Sequence, residues 1–364
     1  MNRTEAYMIL NSLRLVGPVR VRKMLEVVGS PEAILAEKGT RLAKIEGIGQ
    51  AVADSIINWE TQWNLAQEWM QIEKLGFEII DCEDDAYPNL LKEIYDPPLV
   101  LYTKGNKEAL KRLSIGVVGS RRTSRYGSEM AKKLSYQMSY AGLSVVSGLA
   151  RGIDTYAHQG ALAAKGVTIA VQGCSLEKIY PPENQALATK MIEENGLIIS
   201  EFPLGTTPDK QTFPMRNRIV SGLCSGVLVI EAGKDSGALI TARRATEQGR
   251  TVFAVPGRID QPYAAGCHRL IKDGAKLVEG VNDILEEFEF IFPQDTVKPK
   301  RFLPEDLNEL EKLILENLGD EEMQLDVLIQ KCTLPAAKVS TTLLRLEMRK
   351  LVQQLPGKVF VRTD

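Results

Sequence analysis

This 364-residue chain predicts an α/β architecture built on a doubly wound, mostly parallel sheet. Six short apolar runs, largely β-branched, occupy residues 114–118, 143–146, 167–171, 197–199, 226–230 and 251–255, with helix-length segments between them. Buried parallel strands in βαβ units have this pattern. Each run ends in small or polar residues, at Gly119-Ser120, Ser147-Gly148, Gln172-Gly173, Ser200-Glu201, Glu231 and Pro256-Gly257. The carboxyl edge of such a sheet forms a ligand crevice, so small and polar residues belong there. On both sides of this block the apolar period turns helical.

In chain order, residues 1–76 read as helices separated by glycine turns. Leu15-Val16-Gly17-Pro18-Val19 leads into a helix, and Ile45-Glu46-Gly47-Ile48-Gly49 repeats the arrangement. Two such units resemble SAM-like helix-hairpin-helix modules, whose turn amides can hold a backbone phosphate, although the same glycines also serve a plain helical bundle. Trp59, Trp63 and Trp69 fit one long amphipathic helix as packing residues. Tyr87-Pro88 and Asp96-Pro97-Pro98 mark a connector, and residues 99–102 can add an edge strand.

Residues 77–288 form the Rossmann-like block, and residues 289–304, interrupted by Phe292-Pro293 and Lys298-Pro299-Lys300, are a linker. Residues 305–364 predict three helices at 307–318, 324–331 and 336–351. A hairpin over 352–361, turning at Pro356-Gly357, completes a winged helix. Its third helix carries Lys338, Arg345, Arg349 and Lys350, as a recognition helix would.

The length exceeds one ordinary hydrophobic core. The formal net charge of −2 hides a local imbalance: residues 114–218 hold 12 basic against 8 acidic side chains, whereas residues 305–364 hold 8 against 11. Polyanion binding therefore belongs to the middle of the chain. Five scattered cysteines and only two histidines argue against a zinc site or a disulfide framework. No apolar run approaches the ~18 residues that span a bilayer, so no membrane association and a cytoplasmic location are expected.

Two clusters carry the chemistry. Gly119-Ser120-Arg121 lies where a strand gives way to a helix, so amides, a hydroxyl and a guanidinium converge on an anion, with Arg122 and Arg125 reinforcing the field. Lys210, Phe213, Arg216, Asn217 and Arg218 combine an aromatic face with cations, as a sequence-tolerant binder of single strands requires. The bland reading of this second cluster is a core phenylalanine with arginines capping a helix.

Asp235-Ser236-Gly237 is a further turn that either holds a phosphate or caps the following helix. Asp154 and His158 stand four apart on a helix, as an acid/base pair would, but also as a helix cap followed by a packed imidazole. The chain lacks Gly-x-Gly-x-x-Gly after its first strand and any P-loop, which disfavours dinucleotide and NTP sites. No cofactor, metal or catalytic residue is expected.

These strings resemble the DNA-processing protein A (DprA/Smf) family. The resemblance runs through Gly119-Ser120-Arg121; Ser147-Gly148 with Ala150, Gly152-Ile153-Asp154 and His158; Tyr180-Pro181 with Asn184; and Phe213-Pro214 with Arg216-Asn217-Arg218. Ser236-Gly237, Pro256-Gly257 and Gly274-Ala275 continue it, in order, over about residues 79–278. It implies a non-enzymatic bacterial protein that binds single-stranded DNA without sequence preference. It also implies dimerisation through the Rossmann-like domain and loading of the RecA recombinase during natural transformation.

By motif position, Arg121, Lys210 and Phe213 would contact DNA, while Gly119, Ser120, Gly148 and Asn217 shape the pocket and Arg216 and Arg218 help present it. The rival class is a nucleotide-processing enzyme of related fold. It would need a carboxylate in a Pro-Gly-Gly-x-Gly-Thr-x-x-Glu setting, where this chain has only Glu231-Ala232-Gly233-Lys234-Asp235-Ser236-Gly237.

Overall fold

The computed structural model describes residues 1–288, 307–318, 322–349, 351–355 and 357–362. The expected linker at 289–304, together with Lys350 and Pro356, lies outside the described residues. The chain divides into two compact units, Met1–Pro299 and Lys300–Asp364.

The larger unit opens with seven helices: α1 (Arg3–Ser12), α2 (Pro18–Val28), α3 (Pro31–Ala36), α4 (Gly39–Leu42), α5 (Gln50–Ile57), α6 (Trp59–Gln62) and α7 (Leu65–Leu75). Their ends follow local chemistry. Asn2 and Glu5 form a reciprocal capping box on α1, Pro18 starts α2 directly after Gly17, and left-handed Gly76 stops α7. The single long helix expected for the tryptophans is instead two, because Trp63 and Asn64 adopt extended backbone between α6 and α7 and Asn64 caps the second. Trp59, Trp63 and Trp69 still pack against the core, as their apolar spacing implies. Tyr7, Met24, Ile34 and Ile56 from the helices share that core with Val100, Tyr102 and Ile198 of the sheet.

The nine strands are β1 (Glu78–Asp81), β2 (Val100–Gly105), β3 (Ser114–Val118), β4 (Ser144–Ser147), β5 (Thr168–Val171), β6 (Leu197–Ser200), β7 (Gly226–Val229), β8 (Thr251–Ala254) and β9 (Lys276–Leu277). They form one sheet in the order β1-β2-β6-β5-β4-β3-β7-β8-β9. Pairing from β6 through to β9 is parallel, and β1 and β2 add an antiparallel flank. All six expected strands are present. The segment expected at the edge, now β2, is covered on its outer side by β1, whose sequence Glu-Ile-Ile-Asp is too short and too charged at its ends to signal a strand.

The covering helices are α8 (Asn89–Lys92), α9 (Arg125–Tyr140), α10 (Ile153–Ala163), α11 (Gln185–Glu193), α12 (Thr212–Gly222), α13 (Gly237–Glu247), α14 (Ala265–Lys272) and α15 (Asn282–Leu285). The chain leaves β3 toward β4 on one side and returns to pair β7 on the other. This reversal opens a crevice at the carboxyl ends of both strands.

The smaller unit contains α16 (Glu309–Leu318), β10 (Met323–Gln324), α17 (Leu325–Cys332), α18 (Ala336–Met348), β11 (Val352–Leu355) and β12 (Val359–Arg362). Its sheet order is β10-β12-β11, around a core that includes Ile314, Leu328, Leu343 and Phe360. This is a winged helix, with β10 as a strand the sequence did not signal. On α18, Lys338 and Arg345 are exposed, as are Leu344 at 58% and Met348 at 80%, whereas Arg349 pairs with Glu311 at 3.3 Å.

Candidate nucleic-acid interface

A crevice of roughly 1580 Å³ runs along the carboxyl edge of the sheet at the switch point. Hydrogen bonds knit its turns together: the Ser120 amide donates to the Glu231 carbonyl at 2.7 Å, and the Ile153 amide donates to the Ser120 carbonyl at 3.2 Å. Gly119 sits inside this knot, where a Cβ would stand 2.8 Å from Ile153 Cβ and 2.9 Å from the Glu231 carbonyl oxygen. No larger residue fits there without moving the start of α10 and the chain just after β7.

Helix α12 forms one wall. Phe213, Arg216, Asn217 and Val220 recur at helical spacing and all line the crevice. Phe213 is half-buried, with its ring 5.5 Å from that of Tyr180, and the Arg121 guanidinium lies 5.2 Å from its centroid. Gly119, Ser120, Arg121, Gly148 and Lys210, the other expected site residues, line the same crevice. Arg121, Arg122, Lys178, Lys210 and Lys234 are exposed around it, against the exposed carboxylates of Asp209 and Asp235.

Arg216 is a different kind of cation. It is 4% exposed, and its guanidinium donates to the carbonyls of Gly148, at 2.6 Å, and Val171. A Cβ on Gly148 would stand 2.5 Å from this guanidinium, so the glycine makes room for the arginine. Beneath it, the Asp154 carboxylate accepts from the Gly148 amide at 3.1 Å and the Ala150 amide at 3.3 Å. Burial pushes the Asp154 carboxyl up and the Arg216 guanidinium down, each only partly offset by the other's charge.

His158 belongs to the core. Thr168 gives its hydroxyl proton to the Val145 carbonyl at 2.7 Å, so it accepts from His158 Nδ1 at 2.7 Å, and the imidazole is neutral with Nδ1 protonated. Burial, and to a smaller extent Arg216, lower its pKa to about 3. Among the described residues no cluster of His, Cys, Asp or Glu could hold a metal.

Arg218, which the sequence grouped with the cations of the site, does not line the crevice. It is 4% exposed and pairs with Glu201 and, at 3.0 Å, with Asp96. The cause is helix geometry: residues two apart project about 200° from each other, so Arg216 and Arg218 cannot share a face.

Glu231 is likewise occupied. Its carboxylate accepts from the Thr123 hydroxyl at 2.8 Å, the Ser124 amide at 2.9 Å and the Ser124 hydroxyl, and so fills the N-terminus of α9. In nucleotide-binding sheets a phosphate takes that position. Ser236 caps α13, its oxygen accepting from the Ala238 amide at 3.4 Å, and the turn also lines the crevice. Lys178 and Lys234 escaped the sequence reading because each is a lone lysine in a loop; their places in the loops that follow β5 and β7 were the available signal.

Three family models match the chain: DNA recombination-mediator protein A over residues 78–289, the DprA winged helix domain over 298–358, and a SAM-like helix-hairpin-helix tandem over 7–58. Protein Smf of Synechocystis sp. is 34% identical over 396 aligned residues, covering 99% of each chain. Protein Smf of Escherichia coli is 40% identical over 79% of this chain and 78% of its own.

Among solved structures, DNA processing protein A from Streptococcus pneumoniae matches with a TM-score of 0.68 at 40% identity, covering 79% of this chain and 98% of that one. DNA processing protein A from Helicobacter pylori, described for its single-stranded DNA binding mode, matches with a TM-score of 0.53 at 29% identity, over 59% of this chain and 96% of that one. With a family model spanning more than half of its residues and a relative aligned over nearly all of them, the chain belongs to the DNA-processing protein A (DprA/Smf) family.

Proposed function

We propose that this chain binds single-stranded DNA without sequence preference in the crevice beside α12. We further propose, from family membership, that it acts as a homodimer and passes the strand to a RecA recombinase during recombination of incoming DNA in the cytoplasm. The observation that carries the binding reading is the Arg121–Phe213 pair at 5.2 Å, ringed by exposed cations. Aromatic rings give every base a stacking surface, and cations take the phosphates between them. A base that stacks on the outer face of Phe213 displaces the Arg121 guanidinium toward an adjacent phosphate or stacks on its flat face.

Arg121, Lys210 and Phe213 are the contact residues in this reading. Gly119, Ser120, Gly148, Arg216 and Asn217 hold the crevice open and positive, and Arg218 anchors α12 from behind. The nucleotide-processing alternative is disfavoured because Glu231, its candidate carboxylate, is 2% exposed and committed to Thr123 and Ser124.

Fluorescence anisotropy with labelled oligo-dT over a salt series tests the binding reading. Arg121→Ala and Lys210→Ala should each reduce the slope of log affinity against log salt by about 0.7, the increment for one phosphate of a single strand. Unchanged affinity and slope in both variants would place DNA elsewhere. Light scattering on the same samples reads the dimer, and a RecA filament assay reads the transfer.

A further inference from the structure

We propose that a second compartment, next to the crevice, receives one nucleobase of the bound strand; this inference rests on the single-stranded DNA reading above. The compartment encloses about 440 Å³ beyond the carboxyl ends of β7 and β8. Its size falls within the range of about 300–1,000 Å³ typical of small-molecule sites. Tyr263 lines both this compartment and the crevice, so the turn Pro262–Ala264 is the partition between them. A strand leaving the crevice passes over that ring.

The walls suit a base. Tyr126, in the first turn of α9, donates its hydroxyl to the Pro256 carbonyl at 3.1 Å, which holds the ring in place while 44% of the residue stays exposed. Tyr263 offers the second ring, and the Gln261 amide can donate to or accept from any base edge. Such walls stack and hydrogen-bond without reading sequence.

The charge pattern favours a base over a phosphate. Glu231 lines the compartment, and its buried carboxylate already takes the amide and hydroxyl donors at the start of α9 that an anion would need. Arg258 also lines it, with its side chain 78% exposed and paired, among the described residues, with exposed Asp260 at 2.8 Å, so the phosphate next to the inserted base can compete for the guanidinium. The base goes in and the phosphate stays at the mouth.

The test uses the full chain and two sets of oligonucleotides, short ones that fill the crevice alone and longer ones that reach past Tyr263. Tyr126→Ala should weaken binding of the longer set about 5- to 150-fold, the loss of one stacking interaction, and spare the short set. Tyr126→Phe should recover most of that loss, because stacking needs the ring and the variant lacks only the hydroxyl's anchor on Pro256. Irradiation of the unaltered chain with iododeoxyuridine-substituted long oligonucleotides should cross-link peptides that contain Tyr126 or Tyr263, a result that needs no variant to fold.

Wild-type affinity of Tyr126→Ala for the longer set, with no cross-link at either tyrosine while Arg121→Ala weakens both sets, would overturn the compartment and leave the crevice standing. If Arg121→Ala weakens neither set, the underlying reading of the crevice fails and the compartment proposal falls with it.

Discussion

The front and back of α12 carry two arginines with the same 4% exposure and opposite surroundings. At the front, Arg216 is held by two backbone carbonyls and has only electrostatic reach to Asp154, so its positive charge is incompletely cancelled and faces the crevice. At the back, Arg218 lies between two carboxylates, Glu201 and Asp96. A buried charge with a carboxylate partner organises the fold, whereas one held by neutral dipoles keeps a field for a ligand. Counting arginines in a motif cannot separate these roles, because the partners come from distant segments.

The largest effect that sharpens this contrast is at the back. Arg218→Met should destabilise the larger unit by about 3–5 kcal/mol in urea titrations, because it leaves the Glu201 carboxylate buried without its partner. Adding Glu201→Gln should recover much of the loss. If Arg218→Met instead kept full stability and lost oligo-dT affinity, the division between the two faces would be wrong.

The next effect belongs to the front. Phe213→Ala should cost about 1–3 kcal/mol of oligo-dT affinity by anisotropy, one stacking increment, with a urea shift well below that of Arg218→Met. Reversal of that order would make Phe213 a core residue.

The effect that is smallest near neutral pH lies behind Arg216, at His158. Its folded pKa of about 3 is depressed from 6.5, so the unfolded chain takes up a proton first as pH falls. The stability contributed by the neutral imidazole is therefore complete above about pH 6.5 and declines as pH falls, by about 1.4 kcal/mol per unit, until the folded form protonates near 3. His158→Gln should remove that increment from the pH dependence of the urea midpoint. An unaltered acid slope would mean that His158 already titrates in the folded protein.

Much of the fold could be read in the chain. Val-rich runs such as 114–118 and 226–230 became β3 and β7 because a strand buried on both faces needs a continuous apolar run, a property visible within five residues. Where the local signal was weak, the reading slipped. β1 has the sequence Glu-Ile-Ile-Asp and exists because β2 offers it a free edge. The tryptophan helix broke at Trp63 because Asn64 caps a new helix, a choice that amphipathic spacing does not reveal.

The crevice was legible in its motifs but not in its membership. Gly119, Arg121, Lys210 and Phe213 stood out by residue type, whereas Lys178 and Lys234 gained significance only from their position beyond strand ends.

By itself, the sequence determined the helical and strand periods, the glycines at the carboxyl edge and the clustering of cations in the middle of the chain, since each depends on neighbours a few residues away. Tertiary structure alone decided that β3 and β7 lie side by side, that Arg121 reaches the Phe213 ring, and that Glu231 fills the N-terminus of α9. It also decided which arginine on α12 is neutralised. The physical reason is that burial and charge pairing depend on what the fold brings within a few ångströms, and those partners can lie more than a hundred residues apart along the chain.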